Sequence, residues 1–121
     1  MILLDSSVWI DHLRHGEPRL VEFLADGQVL VHPFVVAEIA LGSLAGRNSV
    51  IGILEALPRA PVALHEEAMA LIEGERLYGL GIGYIDVHLL ACARLAGAPL
   101  WTRDRRLRAA AEQLGVAAEE D

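Results

Sequence analysis

Three aliphatic residues at the start of the chain, Ile2, Leu3 and Leu4, run directly into Asp5, the only charged side chain among the first ten residues. A lone carboxylate on an apolar strand is costly to bury unless something compensates it. Two further segments repeat the pattern. From Pro33 to Gly46 the only charged residue is Glu38, and between Arg76 and Arg94 it is Asp86, with His88 nearby. A fourth acid, Asp104, follows the stretch PLWTR and sits among arginines. Four carboxylates gathered in one place repel one another, and some take up protons. A hard divalent cation such as Mg²⁺ or Mn²⁺, which prefers oxygen ligands, removes that conflict. A water activated by such an ion can attack a phosphorus in line, so this chemistry needs no serine or cysteine nucleophile.

Each acid also has a plainer account. Asp86 and Asp104 could be helix N-caps, and Asp5 could open an Asx-turn. Glu38 lies mid-helix, away from any cap, and its plain alternative is an ion pair with a buried arginine. Any one acid alone is unremarkable; the set points to a metal site.

The elements that must position these acids follow from the hydrophobic pattern. ILLD, 2–5, reads as a short buried strand, and Ser6 or Ser7 caps a helix through about Arg14. Pro18 starts a second helix that stops at Gly27. VLVH, 29–32, reads as a second strand, and 33–46 as a buried helix with Pro33 at its start and Gly46 at its end. A helix over 48–57 ends before Pro58. A short strand near Pro61–Ala63 precedes a helix from Glu66 to Tyr78. GLGIG, 79–83, is a connection, and helix 85–96 places Ile85, Leu89, Cys92, Ala93 and Ala96 on one face. APLWTR, 98–103, reads as a strand, and the last helix stripes Leu107, Ala110, Ala111 and Leu114 before Gly115. Val116–Ala118 reads as a final short strand. Strands alternating with helices predict an α/β fold with a parallel sheet and helices on both faces. In such sheets, sites form beyond the carboxyl ends of the strands. Asp5, Asp86 and Asp104 fall at strand ends or helix starts, and Glu38 lies in the helix after the second strand.

The length of 121 residues fits one domain, 1–121. Hydrophobic residues make up 54% and mean hydropathy is +0.39, yet no charge-free apolar run approaches the ~18 residues of a membrane span. No basic segment precedes the apolar start and Asp5 interrupts it, so a signal peptide is not expected and the cytoplasm is the expected compartment. The single cysteine, Cys92, excludes an intrachain disulfide and reads as a small core residue. The net charge of −7 argues against nucleic acid as a partner. Three of the acids form the tail Glu119-Glu120-Asp121, which reads as solvated. All ten basic residues are arginines, the better fork for phosphate.

At the four acids the sequence resembles a PIN-domain protein, specifically a VapC-type toxin ribonuclease of a bacterial toxin–antitoxin pair. The matching pieces are LLDSSVWIDHLR at 3–14, VAEIALG at 36–42, YIDVHLLACA at 84–93 and LWTRDRRL at 100–107. The family pattern is a strand ending in Asp followed by Thr or Ser, an embedded Glu, an Asp at a helix start and a Thr-x-Asp. Ser6 stands where the family often has Thr. The likeness covers nearly the whole chain, and its specificity lies in the ordered set. It implies a PIN-like three-layer α/β sandwich with a central parallel sheet and Mg²⁺- or Mn²⁺-dependent cleavage of RNA. It also implies a homodimer and a VapB-type antitoxin that blocks the active site.

On this reading Asp5 and Asp86 are metal ligands. Glu38 binds metal or orients the water, and Asp104 binds a second metal or acts through water. Ser7 and Thr102 could hold these carboxylates, or be ordinary capping and strand hydroxyls. Arg103, Arg105 and Arg106 flank the site and could meet RNA phosphates, or could form a solvated face with salt bridges to Glu112 and its neighbours. The five histidines show no ligand spacing. His88 reads as packing or as support for the site, and His12, His15, His32 and His65 as surface or turn residues. Asp11 is expected to pair with Arg14 on its own helix.

Other classes fit less well. Aspartyl-phosphate chemistry wants a lysine, and the chain has none. A dinucleotide fold wants G-x-G-x-x-G after the first strand, where this chain has Ser6-Ser7-Val8. A non-catalytic PIN-like module binding RNA or protein, and a stand-alone RNA-processing nuclease, remain as alternatives.

Overall fold

Strand β1 (Ile2–Leu4) is buried along its whole length, with no side chain more than 3% exposed. Successive strand residues face opposite sides, so both faces of the sheet are covered. In this computed structural model, which describes residues 1–119, β1 is the centre of a three-stranded parallel sheet. Strand β2 (Val29–Leu30) lies on one side and β3 (Leu100–Trp101) on the other. The register pairs Leu3 with both Leu30 and Leu100. One further bridge widens each edge, Val31 with Arg59 and Leu100 with Ala117. Glu120 and Asp121 of the acidic tail lie outside the described residues.

Seven helices among the described residues connect and cover these strands: α1 (Ser6–His15), α2 (Pro18–Ala25), α3 (Pro33–Ala40), α4 (Arg47–Glu55), α5 (His65–Gly74), α6 (Tyr84–Ala96) and α7 (Arg105–Gln113). Their starts have local causes. Pro18 and Pro33 occupy the first turns of α2 and α3, where the missing amide proton is no loss. Asp5, Glu17, His32 and Asp104 cap α1, α2, α3 and α7 with side-chain acceptors.

The α/β architecture and the order of elements match the sequence reading, with local corrections. The cap of α1 is Asp5, not Ser6 or Ser7. Helix α3 ends at Ala40 rather than Gly46: Leu41 is 88% exposed, and Gly46, at φ +63°, is the residue that precedes α4. Helix α5 stops at Gly74, and Arg76 then takes a left-handed φ of +54°. The strand expected at 61–63 is absent. The edge contact forms earlier, where Pro58 and Ala60 exchange backbone hydrogen bonds with Val31. The strand expected at 116–118 is reduced to the bridge at Ala117. Helix α6 is buried continuously from Val87 to Ala93 rather than on one stripe, and Ala96 is exposed.

The core joins Leu3, Leu4, Leu20, Leu89, Leu90, Leu100, Trp101 and Leu107 into one cluster. Cys92 lies in it as expected, and burial pushes its thiol up to about 11. Leu4 carries Asp5 on its carboxyl side and is fully buried. Leu4→Ala should destabilise the fold by about 2–5 kcal/mol, the range for truncating a buried leucine. Urea unfolding would check this, and a loss under ~1 kcal/mol would show that the site collapses around the gap.

Candidate active site

The last backbone bond of β1 runs from the Asp5 amide to the Trp101 carbonyl at 3.2 Å, and side chains take over the bonding from there. Asp5 is only 6% exposed. Its Oδ1 accepts from the Ser7 hydroxyl at 2.5 Å, the Ser7 amide at 3.1 Å and the Val8 amide at 3.4 Å. Its Oδ2 accepts from the fully buried Thr102 hydroxyl at 2.5 Å, across from β3. Both hydroxyls also accept: Ser7 Oγ from the Arg103 amide at 2.9 Å, and Thr102 Oγ1 from the Asp104 amide at 3.0 Å. Ser7 and Thr102 therefore hold Asp5 and, through it, the loop that follows β3.

Burial raises the pKa of Asp5 above the ordinary carboxylate value, although its four hydrogen bonds pull the other way. Glu38, on α3, is also raised, first by burial and then by the charges of Asp86 and Asp5, while the Ser6 hydroxyl lowers it. Asp86, in the first turn of α6, accepts the Gly83 amide at 2.9 Å, at the positive end of the helix. Asp104 caps α7, its Oδ1 accepting the amides of Arg106 at 2.9 Å and Leu107 at 3.1 Å. Glu38 thus feels the charges of Asp5 and Asp86, and Asp104 is tied to Asp5 through Thr102. Asp86 and Asp104 cap their helices, as the plain account of each expects.

The donor chemistry, oxygen only and negatively charged, fits a hard divalent cation. The mutual repulsion felt at Glu38 is the strain that such an ion relieves. In the arrangement described, no three His, Cys, Asp or Glu side chains among the described residues are close enough to share one ion. A cavity of about 630 Å³ lies between α3 and α4, lined by Val36, Arg47, Ile51 and Arg59, and none of the four acids borders it. It is a groove between the two helices. A smaller cavity of about 340 Å³ touches Glu38 and is walled by Ile10, Leu13, Ile39 and Leu44, with Arg14 at its rim.

The arginines divide. Arg103 forms ion pairs with Asp11 and with Glu17, and its guanidinium lies 5.8 Å from the Trp101 ring centroid. Asp11 therefore reaches across to the loop after β3 instead of pairing with Arg14. Arg105 and Arg106 are exposed and make no ion pair among the described residues. Arg106 crosses directly over Gly81: a methyl group there would sit 2.8 Å from its Nη1, and Gly81 has φ +75°. Arg108, not Arg103, Arg105 or Arg106, pairs with Glu112.

The sequence reading missed His32. It is fully buried, not a surface residue, and its Nδ1 accepts the Phe34 amide at 3.0 Å as the cap of α3. Burial, and then the charge of His88, push its pKa down to about 4. The signal was present: His32 directly precedes a proline at a helix start, which is an N-cap position.

Residues 2–113 match the PIN domain family. The chain belongs to that family. This PIN domain is 48% identical over 122 residues to Ribonuclease VapC32 of Mycobacterium tuberculosis (strain CDC 1551 / Oshkosh), covering 100% of this chain and 98% of that one. Ribonuclease VapC32 of strain ATCC 25618 / H37Rv matches to the same extent. Among solved structures, FitAcB from Neisseria gonorrhoeae aligns with a TM-score of 0.68 at 25% identity, over 99% of this chain and 97% of that chain. FitAB bound to an IR36 DNA fragment gives a TM-score of 0.65 at 22% identity, over 100% of this chain and 99% of that one, a likeness of fold alone.

The raised pKa of Asp5 has a definite sign for the stability of this PIN domain. A carboxyl whose folded pKa lies above its unfolded value contributes stability below the unfolded value of 3.8, and this is lost as pH rises through the folded value. At neutral pH the ionised Asp5 weakens the fold. Asp5→Asn should therefore stabilise the protein at pH 7 by on the order of 1 kcal/mol, about 3–5 °C in Tm. The gain should shrink as pH falls towards 4. A variant less stable than wild type at pH 7 would show that the hydrogen bonds to Asp5 outweigh its desolvation.

Proposed function

We propose that this chain is a divalent-metal-dependent endoribonuclease and the toxin of a toxin–antitoxin pair, working as a single PIN domain. The observation that carries the reading is the buried Asp5 carboxylate, held by Ser7 and Thr102 beside Glu38 and Asp86. Ribonuclease VapC32, 48% identical over the full chain, supports RNA as the substrate.

Asp5 and Asp86 would hold Mg²⁺ or Mn²⁺, with Glu38 and Asp104 alongside. When bound, the ion acidifies a water and neutralises charge on the cleaved phosphate. Ser7 and Thr102 keep both Asp5 oxygens aimed and ionised. Glu38, whose raised pKa suits a base, orients the attacking water and takes its proton. Arg105 and Arg106, which make no ion pair among the described residues, meet RNA phosphates; Arg103 serves mainly to join α1 and α2 to the β3 edge. RNA as substrate places the work in the cytoplasm. The apolar cavity beside Glu38 suits an antitoxin segment that covers the site, and the active form is a homodimer.

The deciding experiment incubates partner-free protein with total RNA, with and without Mg²⁺ or Mn²⁺. Discrete metal-dependent fragments are expected. Asp5→Asn should lower the rate by at least ~100-fold, and Thr102→Val by roughly 10–100-fold. RNA left intact under every metal condition would favour a non-catalytic binding module.

A second measurement separates the arginines. Arg106→Ala should weaken RNA binding and reduce the slope of log Kd against log salt by about 1. Arg103→Ala should leave that slope nearly unchanged. Equal slope changes in both variants would place Arg103 on the RNA path as well.

A further inference from the structure

Two enclosed imidazole nitrogens, His32 Nε2 and His88 Nδ1, have no hydrogen-bond partner among the described residues. Their rings are 0% and 2% exposed, with centroids 6.4 Å apart. Phe34 stands edge-on to both, at 4.8 Å from His32 and 5.0 Å from His88. Tyr84 packs on His88 at 4.6 Å. Buried polar atoms are nearly always satisfied, and leaving them unmade is among the costlier defects in a core.

The geometry fixes the chemistry of one of the two. His32 Nδ1 accepts the Phe34 amide, so it carries no proton. The neutral ring then bears its hydrogen on Nε2, a buried donor with no acceptor among the described residues. His88 Nδ1 can be the complementary acceptor when that ring is protonated on Nε2. A buried donor and a buried acceptor thus stand on neighbouring rings, walled by aromatic carbon.

Their place in the fold matters. The pairing of Leu3 with Leu30 carries forward to set His32 level with Asp5 at the sheet edge. His32 also starts α3, the helix of Glu38, and His88 lies two residues beyond Asp86 on α6. We propose that one internal water joins His32 Nε2–H to His88 Nδ1, and that this link holds α3 against α6 and so sets the separation of Glu38 from Asp86. A buried water that joins polar groups is part of the structure and costly to remove. The two histidines are positioning residues and do not touch RNA. The positioning half rests on the nuclease reading; the link itself does not.

The test is a double-mutant cycle on the full chain. His32→Asn keeps a good cap for α3 but lacks Nε2, and His88→Phe keeps a ring but lacks Nδ1. Each single change should lower the folding equilibrium constant roughly tenfold in urea unfolding. The double variant should lose far less than the product of the two, because neither leaves a stranded partner. Singles that are neutral or stabilising, or losses that simply multiply, overturn the link. In RNA cleavage, each single should lower kcat about tenfold with KM within about twofold. Unchanged kcat in variants that show the coupling overturns the positioning role. A wild type that cleaves no RNA removes the nuclease reading and with it the positioning half, while the cycle still decides the link. If a variant does not fold, a long-range ¹⁵N–¹H spectrum of the wild type decides it. His32 and His88 both protonated on Nε2, the His32 proton exchanging slowly with solvent, is expected; a proton on Nδ1 of either ring overturns the proposal.

Discussion

The Asp5 carboxylate is where strand, helix and loop meet, and the carboxyl edge is organised around it. Oδ2 reaches across the sheet to Thr102, and Oδ1 turns back to Ser7 and the first amides of α1. The same two hydroxyls then accept the Arg103 and Asp104 amides. One side chain therefore caps a helix, joins two strands beyond their last backbone hydrogen bond, and fixes where α7 starts. Desolvation of a charge opposes all of this, and the raised pKa shows that four hydrogen bonds do not fully offset it. A fold that needed only a cap at residue 5 would be better served by serine or asparagine, which cap without a buried charge. Capping alone therefore does not account for a carboxylate at this position.

The rest of the electrostatics follows from gathering acids in a chain that is already acidic. Arg103 lies in the loop that Asp5 fixes, yet it is turned away from the site by Asp11 and Glu17. It does not neutralise the acid cluster; it joins the C-terminal part of α1 and the start of α2 to the β3 edge. Exposed ion pairs of this kind contribute little individually, but two carboxylates sharing one planar guanidinium give it a fixed direction. Arg106 is held by shape, lying over Gly81, where no side chain intervenes. The segment 79–83 thus brings a cation to the N-terminal side of α6, close in sequence to Asp86.

Much of this was legible in the sequence because the relevant signals are local. Asp5, Asp86 and Asp104 each sit at a strand end or helix start, and a parallel sheet necessarily places such positions on one edge. Glu38 was legible for the opposite reason, as the only charge in an apolar segment. The less legible parts depend on contacts distant in the chain. Nothing near Asp11 indicates that Arg103 outcompetes Arg14. Strands of two or three residues have too little period to mark their limits, so the edge bridge at Arg59 was misplaced by a few residues. The end of α3 was hidden because residues 41–46 are as apolar as the helix itself, although Leu41 is left in solvent.

His32 shows a different kind of limit. Composition treats a histidine after a strand as a surface residue, because isolated imidazoles are usually partly solvated. Burial here is imposed by the fold: the residue must follow β2, cap α3 and sit beneath Phe34 and His88. A leucine would fill the space but leave the Phe34 amide without its acceptor. Asparagine would satisfy the cap but leave the space beside His88. Only a planar side chain with an acceptor near the backbone and a second polar atom farther out meets both demands. The same logic explains Asp5: both residues end a strand, both cap the next helix, and both carry a second polar atom into the interior. The carboxyl edge is built from side chains that finish the backbone ladder while keeping one functional atom free of it.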